Sequence, residues 1–120
     1  MIRVALAVIL TLLFGGNAVA DDAGAAELQR CKICHSLDKG GPNRVGPNLF
    51  GIFGQKAGAV PGFNSSAEMK RSDIVWNDET MANFLRDPRA TIPGNHMSFP
   101  GIKDEATLAD LLARLKQATQ

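Results

Sequence analysis

Cys31-Lys32-Ile33-Cys34-His35 is the stretch whose residue types can do chemistry, and its spacing narrows what that chemistry is. C-x-x-C-H is the attachment sequence for c-type haem. Two thiols at this spacing can add across the two vinyl groups of a porphyrin and fix it by thioether bonds. The histidine directly after the second cysteine then stands under the iron as one axial ligand. These are the only cysteines of the chain, so the motif uses the whole thiol inventory. Other readings of a C-x-x-C ask for surroundings that this chain lacks. A thioredoxin-like pair needs a βαβ setting. A zinc knuckle needs four ligands, and His96 does not complete a set. A plain disulfide staple leaves His35 without a role.

A secretory leader fits thioether attachment of haem, which is made outside the cytoplasm. Arg3 is a short positive region, and Val4 to Phe14 is an apolar run. That run is too short for a bilayer span, which takes about twenty residues. Ala18-Val19-Ala20 is a small-x-small cleavage site. Residues 1–20 are therefore expected to be a cleaved signal peptide and residues 21–120 a single domain; an uncleaved membrane anchor is the competing reading. Of the 13 Lys and Arg, Arg3 leaves with the leader, so 12 basic residues face 12 acidic ones and the net charge becomes zero. Such balance argues against a generic nucleic-acid binder. A domain of this size with a few short helices builds a thin core. A covalently bound, mostly apolar macrocycle would supply the missing interior.

The elements that must position the motif read as all-α. Asp21 and Asp22 are N-cap candidates for a helix over Ala23 to Cys31 that runs into the motif. From Lys39 to Phe63, repeated Gly and Pro predict a long loop, and wrapping a planar cofactor is a specific reason to have one. Leu49, Phe50, Ile52, Phe53 and Phe63 are the groups such a wrap would turn inward. Ser65-Ser66-Ala67-Glu68 predicts a capping box and a short helix ending near Arg71. Asn77 or Asp78 caps a helix through about Arg86, with Met81, Phe84 and Leu85 on its inner face and Pro88 stopping it. Residues 88 to 102 read as loop. The last helix runs from about Lys103 to Gln117, with Leu108, Leu111, Leu112 and Leu115 as its stripe.

The sixth position of the iron has four candidates outside the leader: Met69, Met81, Met97 and His96. Met81 lies on a helical apolar stripe and reads as core, and Met69 reads as filler. Met97 follows Pro93-Gly94-Asn95-His96 in a loop, where a thioether can reach a metal without breaking a helix. From the residues alone, Met97 and His96 both stay open.

The motif is followed by Lys39-Gly40-Gly41-Pro42-Asn43-Arg44-Val45-Gly46-Pro47-Asn48-Leu49, and then by Gly51-Ile52-Phe53-Gly54, Lys56-Ala57-Gly58, Pro61-Gly62-Phe63 and Trp76. Ile92-Pro93-Gly94-Asn95-His96-Met97-Ser98-Phe99, Gly101-Ile102-Lys103 and Ala109-Asp110-Leu111-Leu112 complete the series. In this order the stretches resemble the mitochondrial-type, class I cytochromes c, over almost the whole of residues 21–120. The spacing from Gly24 and Leu28 to Cys31 resembles the bacterial periplasmic members. The resemblance implies a small fold of three to five short helices and long loops around one covalent haem c. Cys31 and Cys34 would hold it, with His35 and Met97 as axial ligands. The Pro47 carbonyl would bond the His35 ring N–H, and Trp76 would donate to a haem propionate. Phe99 would lie beside the exposed haem edge. Gly24, Leu28, Leu111 and Arg114 would fall where the first and last helices cross. Arg30, Arg44, Arg89 and Lys103 would surround the haem edge, where the family carries lysines.

Departures from the family pattern concern polarity. The chain has no tyrosine. Ser65 stands where a propionate-binding tyrosine is usual, and Phe84 where a tyrosine hydroxyl reaches the methionine sulfur. Met69 replaces a buried polar residue, Gln55 a propionate-facing arginine, and Arg114 a packed aromatic. The function implied is a soluble periplasmic electron carrier, not an enzyme. It would take single electrons from a quinol-oxidising cytochrome complex or a periplasmic dehydrogenase. It would pass them to a terminal oxidase, a reductase or a photosynthetic centre, as a monomer without membrane insertion. The alternatives are a dedicated cytochrome subunit of one dehydrogenase, or a peroxidase-like haem protein if Met97 is not bound.

Overall fold

Among the described residues five short helices and the loops between them make up the fold, and a side-chain cap starts each helix but the first. A computed structural model of the chain describes residues 22–120. The expected leader, residues 1–20, and the cap candidate Asp21 lie outside them. The helices are α1 (Ala23–Cys31), α2 (Ala67–Arg71), α3 (Asp78–Arg86), α4 (Pro88–Thr91) and α5 (Glu105–Ala118). Among the described residues the only extended pairing is one isolated antiparallel bridge, Lys56 to Val75. The all-α expectation agrees with this architecture.

Asn77 opens α3: its side chain accepts from the Thr80 N–H at 2.9 Å, and the Thr80 hydroxyl accepts from the Asn77 N–H at 2.9 Å. Asp104 opens α5 by accepting from the Thr107 N–H at 2.9 Å. Such a cap is worth about 1 kcal/mol. Asp22 stands at the N-cap of α1 without a side-chain hydrogen bond.

Two expectations need correction. Ser66, not Ser65, caps α2, accepting from the Met69 N–H at 3.1 Å, and Glu68 turns instead toward Arg71. The Ser65–Glu68 capping box is therefore not formed. Residues 88–102 are not all loop, because Pro88 starts α4 rather than only ending α3. A proline is well tolerated at the first helical position, and Asp87 caps the new helix by accepting from the Ala90 N–H at 3.1 Å.

The core is built by α3, α5 and the inner loop residues. Met81, Phe84 and Leu85 of α3 are buried, as are Leu108, Leu111 and Leu115 of α5. Each fully buried leucine contributes about 1.5–3 kcal/mol. Trp76 meets Phe84 with ring centroids 5.1 Å apart. The end of α3 is tied to the chain entering α5. Ile102 N–H donates to the Leu85 carbonyl at 2.9 Å, and Lys103 Nζ to the Arg86 carbonyl at 2.7 Å. Here Lys103 also lies 3.6 Å from Asp87, so a residue expected at the haem edge serves as a cation on a helix C-terminus.

Helix α1 crosses α5 at Gly24, which is buried. A Cβ at Gly24 would run into the Asp110 side chain, at 2.7 Å from its Cγ. Asp110 is itself held by Arg114, Nε to Oδ2 at 2.8 Å, so the carboxylate has no free path of retreat. Arg114 thus fills the helix crossing with an ion pair where the family packs an aromatic. Gly24→Val should lower stability by about 1–3 kcal/mol through overpacking, read as a lower midpoint in denaturant unfolding with an unchanged slope.

Candidate haem site

The motif begins where α1 ends, and the chain tightens there. Ile33 N–H donates to the Arg30 carbonyl at 3.1 Å, and His35 N–H to the Cys31 carbonyl at 2.9 Å. This turn carries Cys31, Cys34 and His35 together onto one wall of a cavity of about 410 Å³. Met97, Trp76, Met81, Phe84, Leu85 and Leu115 line the same cavity. Met97 is half-buried and packs on the core, whereas His96 is exposed although it also reaches the cavity.

His35 is oriented by one bond. Its Nδ1 lies 2.7 Å from the Pro47 carbonyl oxygen, and a carbonyl can only accept, so Nδ1 carries the hydrogen. The lone pair is thereby left on Nε2. Burial pushes the imidazole below its ordinary pKa, against the opposing pull of the Pro47 bond and with a smaller push from Arg44. The ring is therefore kept neutral at physiological pH, as a metal ligand must be.

The Pro47 carbonyl is held in turn by the loop around it. Gly46 N–H donates to the Cys34 carbonyl at 2.9 Å. Asn48 Nδ2 donates to Ser36 Oγ at 2.6 Å and to the Asp38 carbonyl at 3.0 Å. The Arg44 guanidinium donates to the Lys32 and Ile33 carbonyls, each at 2.9 Å. Arg44, expected around the haem edge, is also a clasp on the motif itself. That clasp carried no sequence signal, because its acceptors are backbone carbonyls.

Of the five groups expected inside the long loop, Leu49, Ile52 and Phe63 line the cavity. Phe50 and Phe53 do not. Phe53 instead lies under the Lys116 ammonium, 6.0 Å from its ring centre, beside a shallow surface groove. Phe99 lines the cavity with the Arg30 guanidinium 5.4 Å above its ring. Trp76 is only 5% exposed, and its indole N–H has no protein acceptor among the described residues. Gln55 does not face inward: its Nε2 donates to the Gly51 carbonyl at 2.9 Å.

These residues fit a haem. The walls are mostly apolar, and the volume lies in the range of about 300–1,000 Å³ usual for cofactor sites. Cys31 and Cys34 stand at the cavity wall and are not joined to each other. Burial, then Glu27, pushes the Cys31 thiol above its ordinary pKa, the opposite of an activated redox C-x-x-C. No cluster of three or more His, Cys, Asp or Glu suited to a metal ion occurs among the described residues, which leaves a zinc site without ligands.

A small all-helical fold around a C-x-x-C-H wall and an apolar cavity defines a c-type haem protein. The chain is 44% identical over 102 residues to a cytochrome c2 of Blastochloris viridis, covering 83% of this chain and 80% of that one. It is 43% identical over 90 residues to a cytochrome c of Sesamum indicum (75% and 81%) and 44% identical over 95 residues to a cytochrome c2 of Rhodoplanes tepidamans (79% and 89%). No family model matches. At this identity and coverage the chain belongs to the class I cytochromes c, which carry one covalently bound haem and transfer electrons rather than turn over substrates.

Gly46 gives this wall its sharpest test. A Cβ there would enter the His35 ring, at 2.7 Å from Nδ1 and Nε2. Gly46→Ala should displace the imidazole and weaken its bond to Pro47, visible as a changed Soret spectrum and a lower thermal midpoint of the holoprotein.

Proposed function

We propose that the chain is a periplasmic single-electron carrier in which Cys31 and Cys34 hold the haem and His35 and Met97 are its axial ligands. One observation carries the reading: neutral His35, with Nε2 free, faces the same cavity as the half-buried thioether of Met97. Bound haem would supply a one-electron ferrous–ferric couple. A soft thioether favours ferrous iron and raises the potential. Apolar walls act in the same direction, because they disfavour the extra positive charge of ferric iron. Met69 and Phe84 both line the cavity and act in opposite directions. Met69 in place of a polar group makes the pocket drier and raises the potential. Phe84 offers the sulfur no hydroxyl and lowers it, so Phe84→Tyr and Met69→Asn should shift the potential with opposite signs. Trp76, with its indole N–H unclaimed, is the donor proposed for a propionate.

Residues 21–120 would form the mature domain once a leader of residues 1–20 is removed, which puts the carrier in a periplasm. Among the described residues no helix is long and apolar enough to cross a membrane. Donors would be a quinol-oxidising cytochrome complex or a periplasmic dehydrogenase, and acceptors a terminal oxidase, a reductase or a photosynthetic centre. An optical and redox titration of the purified holoprotein tests the core of this reading. Met97→Ala should lower the potential sharply and abolish the sulfur-to-iron band of the ferric form. His96→Ala should change neither, and the reverse pattern would make His96 the ligand.

Docking to a partner would use the charges that are not already paired. Lys116 is engaged with Asp78 at 3.0 Å, whereas exposed Arg89 makes no ion pair among the described residues. Arg89→Glu should therefore slow electron transfer with an acidic-faced partner more than Lys116→Glu does. The wild-type rate should fall as salt rises, measured by stopped flow across ionic strengths.

A further inference from the structure

Met97 lies in a stretch without regular structure, and an unheld loop would lose the thioether to conformational freedom. Two contacts hold it. Gly94 adopts φ +88°, and a Cβ there would be 2.8 Å from the Glu68 side chain, so the loop lies close against α2. Asn95 does more. Its Nδ2 donates to the Pro88 carbonyl at 2.9 Å and to the Ile92 carbonyl at 2.8 Å, while its Oδ1 accepts from the Met97 N–H at 2.9 Å. Both amide hydrogens and the oxygen are thus used. The opposite amide orientation would set oxygen against two carbonyls, so the network allows one assignment.

Pro88 opens α4 and Ile92 is its C-cap. That short helix lies against α3, with the Thr91 hydroxyl 3.0 Å from the Asn83 carbonyl and 2.9 Å from the Asp87 carbonyl, either of which can take its one hydrogen. A continuous chain of contacts therefore runs from α3 through α4 and Asn95 to the backbone of Met97. Aspartate would keep the acceptor but press a carboxylate on two carbonyls. A hydroxyl has one hydrogen and can serve only one of them.

We propose that Asn95 is a positioning residue for Met97, fixing its backbone to α4 and so setting how firmly the sulfur resists displacement by an outside ligand. The inference rests on Met97 as the sixth ligand. Displacement exchanges one electron-pair donor on the iron for another and transfers no electron. The test uses ferric holoprotein titrated with imidazole, alongside the sulfur-to-iron band and a denaturant midpoint. Asn95→Ala should raise imidazole affinity on the order of tenfold. Asn95→Asp should also raise it, and serves if the alanine variant does not accumulate. Thr91→Val loosens α4 without touching the Met97 amide; it should lower the denaturant midpoint and raise imidazole affinity less than either Asn95 variant does. A wild-type band with imidazole affinity unchanged in both Asn95 variants, or raised as much by Thr91→Val, would overturn the role of Asn95 alone. A wild type with no such band, binding imidazole as Met97→Ala does, would overturn Met97 ligation itself.

Discussion

The bond from His35 to the Pro47 carbonyl is the constraint on which the site depends. An imidazole has two nitrogens, and either could face a metal. A carbonyl on one side settles the tautomer, because it can take a hydrogen and cannot give one. Everything in the loop from Ser36 to Leu49 can be read as a means of keeping that oxygen still. Arg44 caps the motif, Asn48 laces the turn, and Gly46 leaves room for the ring. Burial, with a smaller push from Arg44, then lowers the imidazole pKa and favours the uncharged ring.

The Met97 side of the site solves the same problem differently. His35 sits on a turn continuous with α1, whereas Met97 depends on a loop whose neighbours are a four-residue helix and a glycine turn. Backbone carbonyls of α3 and α4 supply the fixed points on that side. Much of the cavity lining is hydrocarbon and ring, with no tyrosine hydroxyl to polarise it. An interior of this kind reorganises little when one charge is added or removed, which suits transfer of single electrons.

Much of the fold was legible because its signals are local. The cap of α3 and the apolar stripes of α3 and α5 stand within a few residues of one another, and α1 has the expected bounds. Pro88 misled because proline ends one helix and begins another with equal ease. Ser65 and Ser66 offered the same side chain in adjacent places, and only packing could choose between them. In the site, the C-x-x-C-H stretch is readable since its chemistry is written in consecutive residues. Arg44 and Asn95 are held mainly by backbone groups, which every residue has, so no residue type announces their partners. Phe53 turns inward as its apolarity predicts and packs on the core, but it does not line the cavity, and the Lys116 ammonium stands over its ring.

Gly24 meeting Asp110 has a consequence in time. A chain made from its N-terminus has α1 early and α5 last, yet each is the other's resting surface. Neither can settle until the final turns exist, and Leu115, a wall of the cavity, arrives with them. Contacts this distant in sequence slow the folding of a domain, because a long loop must close before they form. The two ends of the chain thus complete one another: a shortened C-terminus would leave α1 without its support and the cavity without Leu115.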